Sequence, residues 1–522
     1  MKKLILFSIV FCSAINQLSA GWDQAYPINN YTQAGAQSAQ YPKISHDNFG
    51  NAISVWIEND GSNDLVKTST YNYNVGWTDA LFIPGQVSNP SSGVQISHDK
   101  YGNAMAIWIY NSNVIDYSKY TYATSTWSNA SALFGPSTNV YTPQVKHDIF
   151  GNAHVVWIDY NGSNYRVMAG LYDFSSSSWQ LNVVISANDT NGKINPKISC
   201  DPLSGNAICV WEEWDGAKYI IKYSRYDFST GSWSAAAAIT NTGQAGNAAS
   251  PEIVYDAYGR AFCVWYEGAS PFSIIKYSVR TVAGVWVDAE QIPNVQIAGN
   301  AFFPKIDSDI FGNVICVWRE GIANHVVRAN RYTIASGWEL NASFLGSING
   351  SSEPQLSMDI FGNAACVWHT SGSPYDEIQT ARYVNGTGWQ TYETLSNPSQ
   401  AGNAWSQKIS HDPWGNAIAV WQELDATGKY IIKYDHYMHN FEPLILSHQD
   451  TIVAQNASNN YSNLLTRVIR LENLVSQRPI VRRDGQDFFE EDPAYAFSDV
   501  KTLEDREATA GRNKDDGGNG EY

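Results

Sequence analysis

Short β-rich runs separated by turn residues recur through the middle of the chain. In the first, PKISHD from Pro42 and NAISVW from Asn51 flank an Asx-Gly turn, the pattern of a β-hairpin. A third run follows, such as KYIIKYSRYDF from Lys218. A fourth begins at a second tryptophan: Trp77, Trp127, Trp179, Trp233, Trp286, Trp338 and Trp389. The hairpin recurs with an aspartate at Asp47, Asp99, Asp148, Asp201, Asp256, Asp309, Asp359 and Asp412, each leading to a tryptophan at Trp56, Trp108, Trp157, Trp211, Trp265, Trp318, Trp368 and Trp421. The tryptophans are 49 to 54 residues apart, too long for a helical solenoid repeat and suited to one propeller blade. Each repeat therefore predicts a four-stranded antiparallel sheet, strands A to D. Eight such sheets set radially bury both faces and leave only short edges.

The chain ends complete this picture. GWDQAYPINNYTQAGAQ from Gly21 matches GWQTYETLSNPSQAGNA from Gly388, so the mature chain begins with a D strand. The eighth repeat has strands A to C and only a degraded fourth, NFEPLILS from Asn440. The N-terminal strand is expected to complete the last blade and remove two open edges. The fold class is all-β: an eight-bladed propeller over residues 21–446. Residues 1–20 read as a secretory signal peptide cut after Ala20. Residues 447–480 read as a linker with a short amphipathic helix, Tyr461–Val475, whose heptad stripe could oligomerise the protein. Residues 481–522 read as a disordered charged tail. Export implies a secreted, periplasmic or cell-surface location, and the flanks have a bacterial character.

The D-x-x-G-N-A-x-x-V-W unit resembles the Asp-box and WD-type propeller repeats of secreted bacterial proteins, over about residues 21 to 446. It departs from the Asp-box pattern in placing two residues between Asp and Gly, or three at Asp201. The resemblance implies the propeller fold but no single activity, because propellers host many unrelated functions.

A catalytic carboxylate is needed once or twice, so eight equivalent aspartates point to a structural role: each accepts hydrogen bonds from turn amides ahead of it. The tryptophans supply apolar surface between blades. His46, His98, His147 and His411 precede the aspartate in blades 1, 2, 3 and 8, which are neighbours in a closed ring. Blades 4 to 7 instead carry Cys209, Cys263, Cys316 and Cys366 two residues before the tryptophan. With Cys200 these read as five buried thiols, and the histidines as packed neutral side chains rather than metal ligands.

The net charge is −17; the leader holds Lys2 and Lys3, and the tail from Phe441 nine basic and fifteen acidic residues, so the repeat body carries −13. That argues against nucleic acid and anionic membrane as partners, and no stretch beyond the leader is long and apolar enough to insert in a bilayer. The A–B and C–D turns share one side of the ring, and the more variable B–C and D–A loops share the other, where binding residues are expected. Two residues after the core tryptophan stand Glu58, Asp159, Glu213, Glu267, Glu320 and Glu423, broken only by Tyr110 and Thr370. They are read as a negative rim that would bind a cation or a basic surface. The functional expectation is a non-catalytic binding or scaffold propeller that recognises a protein through this face. A glycan lectin is the rival, with Trp214 and Trp405 as stacking candidates; Trp414 replaces a turn aromatic and is read as core. A sialidase-like hydrolase would need an arginine cluster that the sparse arginines do not supply. No nucleophile elbow, phosphate loop or cofactor motif is present.

Overall fold

The computed structural model describes residues 21–438, apart from 23–24, 29–37, 73–74, 87–89, 188, 240–243, 269–270, 296–298, 323–324, 349–352 and 397–399, together with two short strands in the tail. Eight antiparallel sheets follow one another in the order of the repeats. In blade 1, strand A is Ala39–His46, B is Ala52–Asn59 and C is Asp64–Asn72; D is split into Gly76–Trp77 and Leu81–Phe82. Each A strand touches the A strands of both neighbouring blades, so the eight A strands line the centre.

The ring closes as the sequence predicts. Gly21 pairs with Met438 and Trp22 with Tyr437, and then Tyr26 pairs with Tyr434. Gly21–Trp22 and Tyr26–Pro27 thus form the outer strand of the blade built from Ala404–His411, Ala417–Leu424 and Tyr430–Met438.

Packing follows the period of two in strand B. In blade 1, Ile53, Val55 and Ile57 point to blade 2 and meet Ala104, Ala106 and Trp108 there. Trp56 points the other way, onto Ile418 and Val420 of blade 8. The same pairing repeats around the ring, so every core tryptophan fills an interface between two blades and is at most 1% exposed. Burying so large a ring contributes roughly 2–3 kcal/mol per blade interface.

The repeated turn is a hydrogen-bonded clasp. Asp47 Oδ1 accepts from the amides of Phe49 (2.8 Å) and Asn51 (2.9 Å), and Oδ2 accepts from Asn51 Nδ2 (2.8 Å). The asparagine reaches on to the C–D turn: Asn103 Oδ1 accepts from the Tyr122 amide, and Asn152 Oδ1 from that of Phe174. Glycine is required where the turn meets the neighbouring clasp. At Gly362 φ is +83°, and a Cβ would lie 2.7 Å from Asp309 Oδ2. In blade 5 Arg260 stands in for the asparagine, its Nε donating to Asp256 Oδ2 at 2.7 Å.

One expectation changes here. Trp414 is not core: it is 38% exposed, like the turn aromatics Phe49 and Phe150, which stack on Tyr122 and Phe228. In the tail, Ile480–Arg483 pairs with Gln486–Phe489 as a hairpin that begins at the last residue of the 447–480 segment. The leader, the strand from Asn440 and the Tyr461–Val475 helix lie outside the described residues.

Candidate functional site

The six acids two residues after the tryptophans do not form a solvent-facing rim. Glu58, Asp159, Glu213, Glu267, Glu320 and Glu423 are each at most 2% exposed. Glu58 Oε2 accepts from Trp56 Nε1 at 2.8 Å and Oε1 from Lys67 Nζ at 2.7 Å. Glu213 repeats this with Trp211 and Lys222, Glu423 with Trp421 and Lys433, and Glu320 with Trp318 and Arg328. Glu267 pairs with Lys276, and Asp159 with Arg166 directly across the hairpin. The cause lies in the period of the strand: residues i and i+2 share a face, so an acid two after a buried tryptophan is buried beside it and needs a donor and a cation. The sequence carries the signal. Where Tyr110 and Thr370 replace the acid, the C-strand residue opposite the tryptophan is Asp116 or Gln379 instead of a cation.

The histidines are the last residues of strand A, beside the A–B turns. Burial, with repulsion from neighbouring histidines, pushes His46 and His98 down to about 3, and burial also brings His147 and His411 to about 3, so all four are neutral at physiological pH. Their backbones join a belt between blades that sequence reading missed. The amides of His46, His98, His147, Tyr255 and His411 donate to the hydroxyls of Ser410, Ser45, Ser97, Ser199 and Ser357 in the preceding blades. The five cysteines are free thiols, four of them buried in blade interfaces. Among the described residues no three His, Cys, Asp or Glu side chains group as a metal site.

Chemical variety appears at the opposite, inner end of strand B, one residue after the tryptophan. Blades 1 to 3 carry Ile57, Ile109 and Ile158 there; blades 4 to 8 carry Glu212, Tyr266, Arg319, His369 and Gln422. These side chains point at the next blade, where strand A bulges. The bulge places Tyr41, Thr142, Asn195, Ser250, Phe303 and Ser406 at φ between 46° and 58°, a sparsely populated region costing roughly 1–3 kcal/mol each. The variable side chains prop it. Glu212 Oε1 accepts from the Ser250 amide (2.8 Å) and Asn195 Nδ2 (2.7 Å), and Gln422 Oε1 from the Tyr41 amide (2.9 Å). Tyr266 meets Phe302 edge-on at 5.0 Å. Trp405 donates to Asp376 (3.1 Å), which also faces His369, and its ring lies against Tyr430. Trp214 is occupied in a similar way, edge-on to Tyr219 at 5.3 Å.

Arg319, on the blade 6 strand Val314–Gly321, differs from its counterparts. Its guanidinium packs over Phe302 and Phe303, 5.5 and 5.0 Å from the ring centroids, and is only 8% exposed. Yet Nε and Nη1 have no hydrogen-bond acceptor among the described residues. Burial lowers its pKa, opposed by the charge of Glu353 on the adjoining blade. A buried guanidinium with two donors unmatched among the described residues, beside two aromatic rings, is equipped to recognise oxygen acceptors on a ligand.

No family model matches the chain, and no curated protein does. Solved propellers resemble it in architecture. The BP39L lectin from Burkholderia pseudomallei is 11% identical with a TM-score of 0.48, over 69% of this chain and 100% of its own. A PL25 ulvan lyase is 11% identical with a TM-score of 0.45, over 70% and 96%. The β-propeller domain of the Trilobed protease from Pyrococcus furiosus is 9% identical with a TM-score of 0.42, over 70% and 100%. These likenesses concern the fold alone.

Proposed function

We propose that the protein is a carbohydrate-binding propeller whose ligand enters the inner mouth of the B–C/D–A face. The observation that carries this reading is Arg319, nine-tenths buried on Phe302 and Phe303 with two donors that find no acceptor among the described residues. Sugars present hydroxyls to planar polar groups and C–H faces to aromatic rings, and the arc from Tyr266 to Trp405 offers both kinds of group. The protein-docking reading of the same face rested on an acidic rim, and those acids are committed to internal pairs. A panel of immobilised glycans probed with the purified protein tests the proposal. A bound glycan should lose at least about tenfold in affinity, or about 1.4 kcal/mol, on Tyr266→Ala or Arg319→Met. Lys100→Gln, on the turn face, should leave it unchanged. Binding indifferent to both mouth variants, or no binding to any glycan alongside a captured protein partner, overturns the reading.

A further inference from the structure

Eight side chains at one register of strand A, opposite Val55 and its counterparts in strand B, ring the centre of the propeller: Lys43, Gln95, Gln144, Lys197, Glu252, Lys305, Gln355 and Lys408. None is apolar, and all but Glu252 can donate hydrogen bonds. Glu252 is shared by two neighbours, 3.1 Å from Lys197 Nζ and 2.6 Å from Lys305 Nζ. Glu353, half-exposed at the mouth, lies 3.7 Å from Lys305. Neither Lys43 nor Lys408 has a carboxylate within ion-pair distance among the described residues. Among the described residues Lys408 Nζ donates to the Gln407 carbonyl, at 3.0 Å, and to no carboxylate. At this register and the adjoining mouth four ammonium groups therefore face Glu252 and Glu353, while two residues further along strand A one more cation, Lys146, and one more carboxylate, Asp307, sense each other; the protein as a whole has a net charge of −17.

The lysines also sense one another across the ring. Burial, together with the charges of Lys197 and Lys305, brings Lys43 down to about 8, and Lys408 is lowered by burial and by the same group of lysines. Like charges gathered in a partly desolvated space oppose folding unless something offsets them. Propeller packing does not require lysine here, since three blades place glutamine at the same register.

We infer that this lysine ring is a binding site for an oxyanion, a sulfate or carboxylate group, held between Lys43, Lys305 and Lys408. The inference deepens the carbohydrate reading by assigning the ligand an anionic substituent, but the site would equally take the free inorganic ion. Inorganic sulfate is therefore the first probe. At low ionic strength, millimolar sulfate should raise the melting temperature of the full-length protein by several degrees and saturably, where chloride at equal ionic strength does not. The double variant Lys43→Gln/Lys408→Gln should lose at least three-quarters of that rise (a rough criterion for losing the principal site). It should not fail to fold, because it removes repulsion, and far-ultraviolet circular dichroism checks this. Lys100→Gln should keep the full response. A sulfate response equal in the double variant, or a wild-type response no larger than that to chloride, overturns the inference: the ring is then only a hydrated lining.

A second arm separates the sources, using a sulfated oligosaccharide and its desulfated counterpart. If the sulfated sugar binds better and the preference vanishes in the double variant, both readings stand. If sulfate binds through the lysines and neither sugar binds, the oxyanion site stands and the carbohydrate reading loses its support. If the desulfated sugar binds equally well and sulfate has no lysine-dependent effect, the oxyanion inference fails and the carbohydrate reading survives.

Discussion

The two ends of strand B lie a few residues apart on one backbone and obey different rules. At its start, the Asp–Asn clasp repeats with little change, and nearly every donor and acceptor finds a partner within its blade. At its end, the residue after the tryptophan runs from isoleucine to glutamate, arginine and glutamine, and Arg319 keeps donors without acceptors among the described residues. The repeat is maintained where it closes its own hydrogen bonds and departs from itself where it meets the bulge of the next blade. A binding site is better sought where the repeat breaks than where it is most conspicuous.

The largest effect should come from the buried pair beside the tryptophan, which belongs to the scaffold. Glu58→Ala strands Lys67 and Trp56 Nε1 in an interior where both charges are at most 7% exposed at the side chain. It should cost about 3–5 kcal/mol in chemical denaturation. A loss below about 1 kcal/mol would mean that the acid is solvated after all and would restore the outward rim. The clasp comes next. Asp309→Ala removes the acceptor for the Phe311 and Asn313 amides and for Asn313 Nδ2, and should cost about 1–3 kcal/mol. Glycan affinity of the folded fraction should be unchanged.

The mouth should respond in the opposite sense. Arg319→Met removes a buried charge whose donors are unmatched and keeps an unbranched chain against Phe303, so stability should hold or rise by about 1 kcal/mol while binding falls. Such a change is the signature of a group retained for recognition rather than folding. A destabilised Arg319→Met with normal binding would erase the contrast between the two ends.

Much of the scaffold was legible because its signals are periodic. The eight Trp56-type residues, the hairpin turns and the match of Gly21 to Gly388 sufficed for blade number, strand order and closure, and the register His46 to Ala52 follows from them. The acids misled because their periodicity was read without its face: Glu58 lies on the side of Trp56, and the cation that neutralises it, Lys67, is nine residues further along. The centre was hard to read for a different reason. Lys43, Lys197, Lys305 and Lys408 are widely separated in the chain, and only ring closure makes them neighbours. Arg319 is a single residue, and no repeat points to it.

The smallest effect is a difference in pH dependence, and it compares the two regions within one molecule. At the turn, burial outweighs the three donors around Asp412 and brings its pKa up to about 6. A raised carboxyl binds a proton more tightly when folded. Its contribution to stability is therefore complete below about pH 4, the unfolded value, and is lost as pH rises through 6. Asp412→Asn should cost more stability at pH 4 than at pH 7. At the centre, Lys43 is lowered to about 8. A lowered ammonium binds its proton less tightly when folded, so it disfavours folding fully below 8, and the penalty is relieved as pH rises from 8 toward 10.5. Lys43→Gln should therefore stabilise the protein at pH 7 by about 1–2 kcal/mol and lose that advantage near pH 10. Denaturation curves of the two variants at pH 4, 7 and 10 decide the point. Parallel pH profiles would place Lys43 in open solvent and remove the electrostatic basis for distinguishing the centre of the ring from its turns.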